Sequence, residues 1–376
     1  MKLKQFIQQE TVLTAAAVLA VVSAFFVPPD AQYLGYIDLR TLAILFSLMT
    51  VMAGLRRQDF FDGLGRALLS RTHSTFQLTL VLVGLCFFGS MFITNDVSLL
   101  TFVPFTFVVL SRLGADVRCS LLIPVVCMQT IAANLGSMLT PIGNPQNLYF
   151  YGKSGMSIGG FVLLMLPYTL VSLLLLLAWA ALVCRKASAA LSVDELVSSS
   201  ASQGDQRIIL LYLVLFAVCL LSVIRVLPYG IAFAAVLVCA LFADPRTLRT
   251  VDYSLLLTFV AFFIFIGNLG RIPAFSGWLQ EFLTGREVLV AVLASQVTSN
   301  VPAALLLSGF TAETQALIIG TNLGGLGTLI ASMASLISYR QIARELPQGK
   351  KQYFGLFTLS NLIFLALLLG VWFLLR

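Results

Sequence analysis

Residues Ala133–Asn147 read ANLGSMLTPIGNPQN. It is polar and rich in Gly and Pro, yet it lies between LLIPVVCM and FVLLMLPYTLVSLLLLLAWAALV. A related run, TNLGGLGTLIASMAS, covers Thr321 to Ser335. Around these runs, the 376-residue chain is 59% hydrophobic and only 10% charged. Its mean hydropathy is +0.98. A soluble domain carries about 25% charged residues, so water is not this chain's main solvent. Apolar runs long enough to cross a hydrocarbon layer of about 30 Å recur throughout. The expectation is an all-α polytopic membrane protein.

Three pairs of segments repeat in the same order. Ile37–Leu64 aligns with Val251–Trp278 without a gap, pairing Asp38 with Asp252, Arg57 with Arg271 and Gly63 with Gly277. TNDVSLL from Thr94 matches SNVPAALL from Ser299. The opening run matches its partner at Asn134/Asn322, Gly136/Gly324, Thr140/Thr328 and Ile142/Ile330. The first repeat, residues 1–186, is expected to cross at 11–28, 37–55, 119–147 (interrupted) and 158–184, with a re-entrant hairpin at 75–111. Residues 187–206 form a Ser-rich cytoplasmic linker. The second repeat, 207–376, begins with an extra helix at 208–225 and crosses at 228–243, 251–270, 314–338 (interrupted) and 353–374, with a hairpin at 287–310. That makes about nine crossings plus two hairpins. The extra helix inverts the second repeat relative to the first.

Charge supports this layout. With the N-terminus cytoplasmic and the C-terminus outside, most of the 23 Lys and Arg fall on cytoplasmic segments, among them Lys2, Lys4, Arg56, Arg57, Arg66, Arg185, Arg246 and Lys350. Arg40, Lys153, Arg225, Arg271, Arg286 and Arg376 fall outside. This is the positive-inside bias of a plasma (bacterial inner) membrane protein, and it accounts for the net charge of +7 without nucleic acid. The stretches DFFDGLGRALL and PAFSGWLQEFL are amphipathic and expected at the membrane interface, with Trp278 as an anchor. The six cysteines form no CxxC pair, and the single histidine, His73, falls in a loop. Neither a zinc site nor a disulfide framework is indicated.

In hydrocarbon an unpaired backbone N–H or C=O costs several kcal/mol, so an interrupted helix survives only where protein or a wet cavity surrounds it. Paired interruptions in inverted repeats point to the midplane site of a secondary transporter. A lone GNP is most often a kink, but the repeated Asn-Leu-Gly and Ser/Thr-Asn pairs favour a site. Thr94, Asn95, Ser299 and Asn300 stand where half-helices restart, as N-cap residues do. Pro145 and Pro302 fall in first turns. The restarting helices aim positive dipole ends at the cavity, which suits an anion. Free carbonyls and Asn oxygens suit Na⁺.

The expected substrate-binding residues are Thr94, Asn95, Asn144, Ser299, Asn300 and Thr328. The expected coupling-cation residues are Asp96, Asn95, Asn134, Gly143, Asn300 and Asn322. A carboxylate at membrane depth costs about 2.5–3.5 kcal/mol or more. Asp96 therefore reads either as a cation or proton site, or as a first-turn acid held by the helix dipole and a hydrated vestibule. Asp38 and Asp252 each begin a span and read as structural.

These motifs, TPIGNPQNL from Thr140, TNDV from Thr94 and SNVP from Ser299, resemble the ion transporter superfamily of arsenite, citrate and divalent-anion/sodium symporter permeases. The resemblance implies a scaffold domain, a moving transport domain and alternating access, commonly as an elevator, with a homodimer as a further expectation. It also implies that substrate and Na⁺ meet at Ser-Asn-Thr triplets on both hairpin tips. These triplets fall on Thr94-Asn95-Asp96 and Ser299-Asn300-Val301, and both depart from the pattern at the third member. A carboxylate beside a dianion repels it unless protonated or cation-paired, and an Asn-Asp tip is more similar to the arsenite and Na⁺/H⁺ antiporter branches.

The reading is a carrier of a small anion or oxyanion, such as an organic di- or tricarboxylate, coupled to Na⁺ or H⁺. Arsenite efflux or Na⁺/H⁺ antiport on the same fold is the alternative, and a channel a further one. No enzyme is expected, because one loop His and one deep Asp supply neither a base beside a nucleophile nor a metal-ligand set. No cofactor is expected beyond Na⁺ as a coupling ion.

Overall fold

The computed structural model describes residues 10–70, 72–113, 115–185 and 204–376, and among them no β-sheet forms. The first helices are α1 (Thr11–Phe26), α2 (Gln32–Tyr36), α3 (Leu39–Arg57), α4 (Phe60–Leu69), α5 (Thr75–Ile93) and α6 (Asn95–Ser111). They are followed by α7 (Ala115–Ser137), α8 (Pro145–Ser154), α9 (Ile158–Cys184), α10 (Gln206–Val223), α11 (Tyr229–Ala243) and α12 (Tyr253–Gly270). The last are α13 (Pro273–Leu283), α14 (Glu287–Thr298), α15 (Asn300–Ser308), α16 (Thr314–Leu323), α17 (Met333–Glu345) and α18 (Lys350–Leu375). Seven helices among the described residues are long and apolar enough to cross a membrane, and the shorter α1, α6, α11 and α14 are apolar as well. The molecule is a polytopic, helical membrane protein.

Local chemistry explains the helix ends. Asp38 caps α3, its carboxylate accepting from the Thr41 N–H at 3.0 Å and from the Thr41 hydroxyl at 2.5 Å. Asp252 caps α12 by accepting from the Leu255 N–H at 3.0 Å. Arg56 and Arg57 close the last turn of α3, where a cation suits the helix dipole. Pro145 opens α8, which ends at Gly155 with φ 68, a conformation that glycine takes without strain. The linker expected at 187–206 falls mostly outside the described residues. Its last residue, Gln206, already opens α10, with Asp205 as cap.

The interrupted crossings extend further than hydropathy suggested. The span expected at 119–147 is α7 and α8, reaching Ser154, and the one at 314–338 is α16 and α17, reaching Glu345. Both second halves are too polar to register as spans, yet they pack on neighbours. Tyr149 shares a 2.8 Å hydrogen bond with Ser308, Lys153 donates to the Ser308 carbonyl, and Arg225 donates to the Tyr151 carbonyl at 2.8 Å. A further correction concerns Thr94 and Ser299. They precede α6 and α15 as expected, but neither side chain makes a capping hydrogen bond. Their backbones take φ 65, ψ 154 and φ 76, ψ 155, a region nearly confined to glycine that costs about 1–3 kcal/mol. Asn144 at the start of α8 likewise caps nothing with its side chain.

Two groups of helices organise the packing. In the first, α1 packs on α12, and α11 and α10 pack on α3. In the second, α5, α6, α7 and α17 pack together, as do α14, α15 and α16. The groups meet where α3 touches α8, which itself packs on α15, and where α12 touches α15. Within the first group, Arg57 on α3 pairs with Asp244 after α11 at 3.1 Å. Arg271 after α12 pairs with Asp30 after α1 at 2.8 Å.

Asp244 lies outside the spans. Burial pulls its carboxyl upward, but hydrogen bonds from the Thr247 hydroxyl and Arg57 outweigh this and hold it below the ordinary carboxylate value. A depressed folded value means the pair's stabilisation is complete above the unfolded pKa of about 4 and is lost as pH falls through the lower folded value. Asp244→Asn is therefore expected to lower stability by about 1–2 kcal/mol at neutral pH. Thermal melts of the two proteins in detergent should converge as pH drops below about 4.

Candidate functional site

The two helix interruptions and the two tips, Thr94 and Ser299, come together around buried amides. The turn after α7 is built by Gly136, Thr140, Pro141 and Gly143. The Leu139 N–H donates to the Gly136 carbonyl at 3.2 Å, and the Gly143 N–H donates to the Thr140 hydroxyl at 3.2 Å. The backbone carbonyls that this break frees are not left bare. The Asn95 N–H donates to the Gly143 carbonyl at 3.2 Å, and in the second half the Asn300 N–H donates to the Ala331 carbonyl at 2.9 Å. Each tip thus satisfies the broken helix beside it, which is how irregular backbone is tolerated inside a membrane.

Thr140 and Thr328 play matching parts. The Thr140 hydroxyl donates to the Met91 carbonyl at 2.5 Å, and the Thr328 hydroxyl donates to the Gln296 carbonyl at 3.1 Å. Ala331 N–H donates to the Thr328 hydroxyl at 3.2 Å, as Gly143 does to Thr140. Thr328 itself is exposed.

Side chains then join the two interruptions to each other. Asn134, 4% exposed, accepts from Asn95 Nδ2 at 3.1 Å and from the Ser332 hydroxyl at 2.9 Å, and its own amide donates to Ser335 at 3.3 Å. Asn322, 2% exposed, donates to Asn147 Oδ1 at 2.7 Å. Asn144 donates to Ser137 at 2.7 Å. Ser299 reaches Asn300 Oδ1 and the Ala331 carbonyl, each at 3.4 Å. Asn300 lies beside Gly325, where an added Cβ would stand 3.1 Å from its amide nitrogen. Asp96 is half-buried, its N–H donating to Asn95 Oδ1 at 3.0 Å. Its carboxylate makes no hydrogen bond or ion pair with any described residue.

Thr94, Asn95, Asn134, Gly143 and Asn144 therefore gather at one tip and break, and Ser299, Asn300, Asn322 and Thr328 at the other, with Asn134 and Asn322 reaching across. Sequence reasoning did not single out Ser137, Asn147, Ser332 and Ser335, although all stand inside the two quoted runs. Gln296, which binds the Gly324 and Leu326 carbonyls at 3.0 and 2.9 Å and the Thr328 N–H at 2.9 Å, had no signal, because its counterpart is Met91.

The donor set is neutral: amides, hydroxyls and backbone groups, with no Lys or Arg among the described residues that hydrogen-bond in the junction. Oδ1 of Asn144, Oδ1 of Asn322 and both polar atoms of Gln146 are buried without hydrogen-bond partners. Such orphans cost about 1–3 kcal/mol each unless something binds them. Uncharged oxygens of this kind fit a hard monovalent cation such as Na⁺. Among the described residues no cluster of His, Cys, Asp and Glu suits a transition metal.

Known proteins agree with a transport role. A family model described as a citrate transporter (CitMHS) matches residues 6–317. Inner membrane protein YbiR of Escherichia coli strain K12 is 34% identical over 326 residues, 84% of each chain. An uncharacterized transporter of Methanocaldococcus jannaschii is 30% identical over 304 residues, 81% of each. A shorter match of 137 residues, 36% of this chain and 27% of the relative, is 31% identical to the silicon efflux transporter LSI3 of Oryza sativa subsp. japonica. With the family model spanning most of the sequence and both long relatives covering four fifths of it, the chain belongs to the citrate transporter family of membrane transporters.

Proposed function

We propose that this protein is a secondary active transporter that moves a small anion or oxyanion, with a di- or tricarboxylate as the first candidate, coupled to Na⁺ or H⁺ by alternating access. In this reading residues 1–186 and 207–376 are inverted repeats, 75–111 and 287–310 are re-entrant hairpins, and the broken helices meet at the midplane. The reciprocal bonding between the two interruptions carries it. Asn134 of the first break binds Ser335 of the second, and Asn322 of the second binds Asn147 of the first. The repeat alignment pairs Asn134 with Asn322 and Asn147 with Ser335, so the two contacts are counterparts. Two-fold relations produce such swapped contacts. The ion pairs Arg57–Asp244 and Arg271–Asp30 repeat the pattern: Arg57 aligns with Arg271, and the ungapped match of Ile37–Leu64 with Val251–Trp278, carried seven residues upstream, pairs Asp30 with Asp244. The citrate transporter family and the positive-inside charge bias support substrate class and a cytoplasmic N-terminus. A homodimer rests on resemblance.

With no cationic side chain at the junction, an anion's charge is balanced by Na⁺ on amide oxygens and by the N-terminal ends of α6, α8 and α15. Thermal-shift screening of the purified protein against citrate, succinate, sulfate, phosphate and arsenite, with and without Na⁺ and across pH, tests this. A true substrate at a hundred times its Kd is expected to stabilise the fold by about 2.7 kcal/mol. Proteoliposomes should show trans-stimulated uptake of the same compound. Absence of any shift together with absence of counterflow overturns the reading.

The unpaired Asp96 carboxylate and the partial match to a silicon efflux transporter favour one second reading: efflux of a weak oxyacid such as arsenite, or Na⁺/H⁺ antiport, driven through Asp96. Asp96→Asn separates the roles of this residue. If Asp96 carries the coupling cation, the variant's transport loses its dependence on Na⁺ or pH, by at least about tenfold in driven uptake, while passive exchange persists. Unchanged Na⁺ and pH dependence leaves Asp96 a first-turn structural acid.

A further inference from the structure

Away from the junction, an apolar groove of about 450 Å³ opens between α3, α4, α5 and α10. Met52, Leu55, Phe88, Phe92, Leu213 and Phe216 form its walls, and no polar side chain among the described residues lines it. Gly84 on its floor has nothing nearer than 3.9 Å to where a Cβ would stand. Phe88 and Phe92 remain 53% exposed. At the end of the groove, sharing Phe60 and Leu64, lies a second cavity of about 360 Å³ lined by Gln58, Asp59, Arg66 and Gln206. It sits between the α3–α4 turn, amphipathic α4 and the start of α10, at the basic end of α3 where a membrane surface is expected. Gln58 also holds the entry of α10, accepting from the Asp205 N–H at 2.9 Å.

The charges of this second cavity are unusual. Arg66 and Asp59 line it together, yet they form no ion pair with each other or with another described residue. Nearby, Asp62 and Arg56 bring one more charge of each sign; burial and then Asp59 hold Asp62 above the ordinary carboxylate value, against the opposing pull of Arg66 and Arg56. An anionic headgroup would meet Asp59 and Asp62, and a cationic one would meet Arg56 and Arg66. A headgroup carrying both signs satisfies both kinds of partner.

We propose that the two cavities form one binding site for a zwitterionic phospholipid of the phosphatidylethanolamine type. An acyl chain fills the groove, the phosphate pairs with Arg66, and the ammonium pairs with Asp59. Volumes of 300–1,000 Å³ are typical of sites that bury a ligand, and a concave slot between four helices with a polar mouth is more than ordinary lipid-exposed surface. Leu213 and Phe216 belong to α10, the helix with no counterpart in the other half, so the second half lacks this wall and the site occurs once per chain. The groove lies between α3 and α10 on one side and the arm α5 on the other, so a lipid seated there fills the seam between the two packing groups.

The test is native mass spectrometry of the full-length protein, extracted in mild detergent and exchanged into mixed micelles of phosphatidylethanolamine and phosphatidylglycerol. One phosphatidylethanolamine per chain is expected to remain, preferred at least tenfold over phosphatidylglycerol. Arg66→Ala and Asp59→Asn are each expected to cut that retention about tenfold. Gly84→Leu, whose Cβ would meet nothing nearer than the Phe88 ring at 3.9 Å, is expected to fill the groove and remove retention while leaving the melting temperature of the lipid-free protein unchanged. Equal retention of both lipids, or retention untouched by all three variants, overturns the site. Preference for phosphatidylglycerol that depends on Arg66 and not on Asp59 overturns the zwitterionic assignment. None of these readouts involves transport, so they stand or fall separately from the proposed substrate.

Discussion

Alanine at Gly136 is expected to leave almost no correctly assembled protein. The added Cβ would stand 1.9 Å from the Phe87 carbonyl oxygen and 2.7 Å from Ser90 Oγ. Phe87 is backbone on the facing helix α5, so no side-chain rotation relieves the clash; α5 and α7 must separate. Ordinary overpacking costs about 1–3 kcal/mol, and displacing two packed helices costs more than about 3 kcal/mol. Gly143 is equally tight, with its would-be Cβ 2.1 Å from the Ser137 carbonyl. Gly324, aligned with Gly136, would meet Ser295 Oγ at 2.6 Å and the Gly320 carbonyl at 2.8 Å; its facing contact is a side chain rather than backbone, so alanine there is expected to be milder than at Gly136. Gly63 is the control. It lies on α4 with nothing within 4 Å, and alanine there is expected to gain up to about 1 kcal/mol of helix propensity. Thermal melts monitored by size-exclusion chromatography give the comparison. A Gly136→Ala protein as stable as wild type would show that α5 does not sit against this turn.

Asn134→Ala is expected to reduce transport to about a hundredth or less, equivalent to roughly 3 kcal/mol. Three hydrogen bonds end on this side chain, and its removal strands Asn95 Nδ2, the Ser332 hydroxyl and the Ser335 hydroxyl. Stranded buried polar groups cost about 1–3 kcal/mol each. The tip at Asn95 also loses its side-chain anchor to the broken helix. Ser335→Ala alone removes one long bond of 3.3 Å and should be far milder. Combining the two variants should cost little beyond Asn134→Ala, because the shared contact is already gone. Asn322→Ala should resemble Asn134→Ala through its loss of Asn147. Initial rates in proteoliposomes, normalised to folded protein, decide the matter; a variant within twofold of wild type removes Asn134 from the machinery.

Much of this architecture was legible without coordinates, where one residue type has one physical use in its setting. Asp38 and Asp252 read as helix starters because a carboxylate at a span's edge has the first free N–H groups to bind, and both do so. The interruptions at 138–144 and 324–332 were legible because Gly, Pro and Asn have no other reason to cluster in hydrocarbon. His73 is exposed and outside any helix. The continuation of α8 to Ser154 and α17 to Glu345 was not legible. Lys153 and Arg344 lower the hydropathy there, and only the neighbours that bind Tyr149, Lys153 and Tyr151 show why α8 is buried. The backbone of Thr94 and Ser299 was equally hidden, since side chains of that kind advertise a cap and here the surrounding fold holds them in a glycine-like conformation instead.

Composition and local spacing settled by themselves that this chain folds in lipid and that its helices break near 138–144 and 324–332. The reason is that hydrocarbon penalises every unpaired peptide group, and only a few residue types can manage a stop. Tertiary structure alone decided which groups repay that penalty. Asn134 finds Ser335 across 201 residues and Asn322 finds Asn147 across 175. A hydrogen bond between side chains so distant in sequence depends on two packed helices arriving at one depth and one rotation, and no local pattern encodes that meeting.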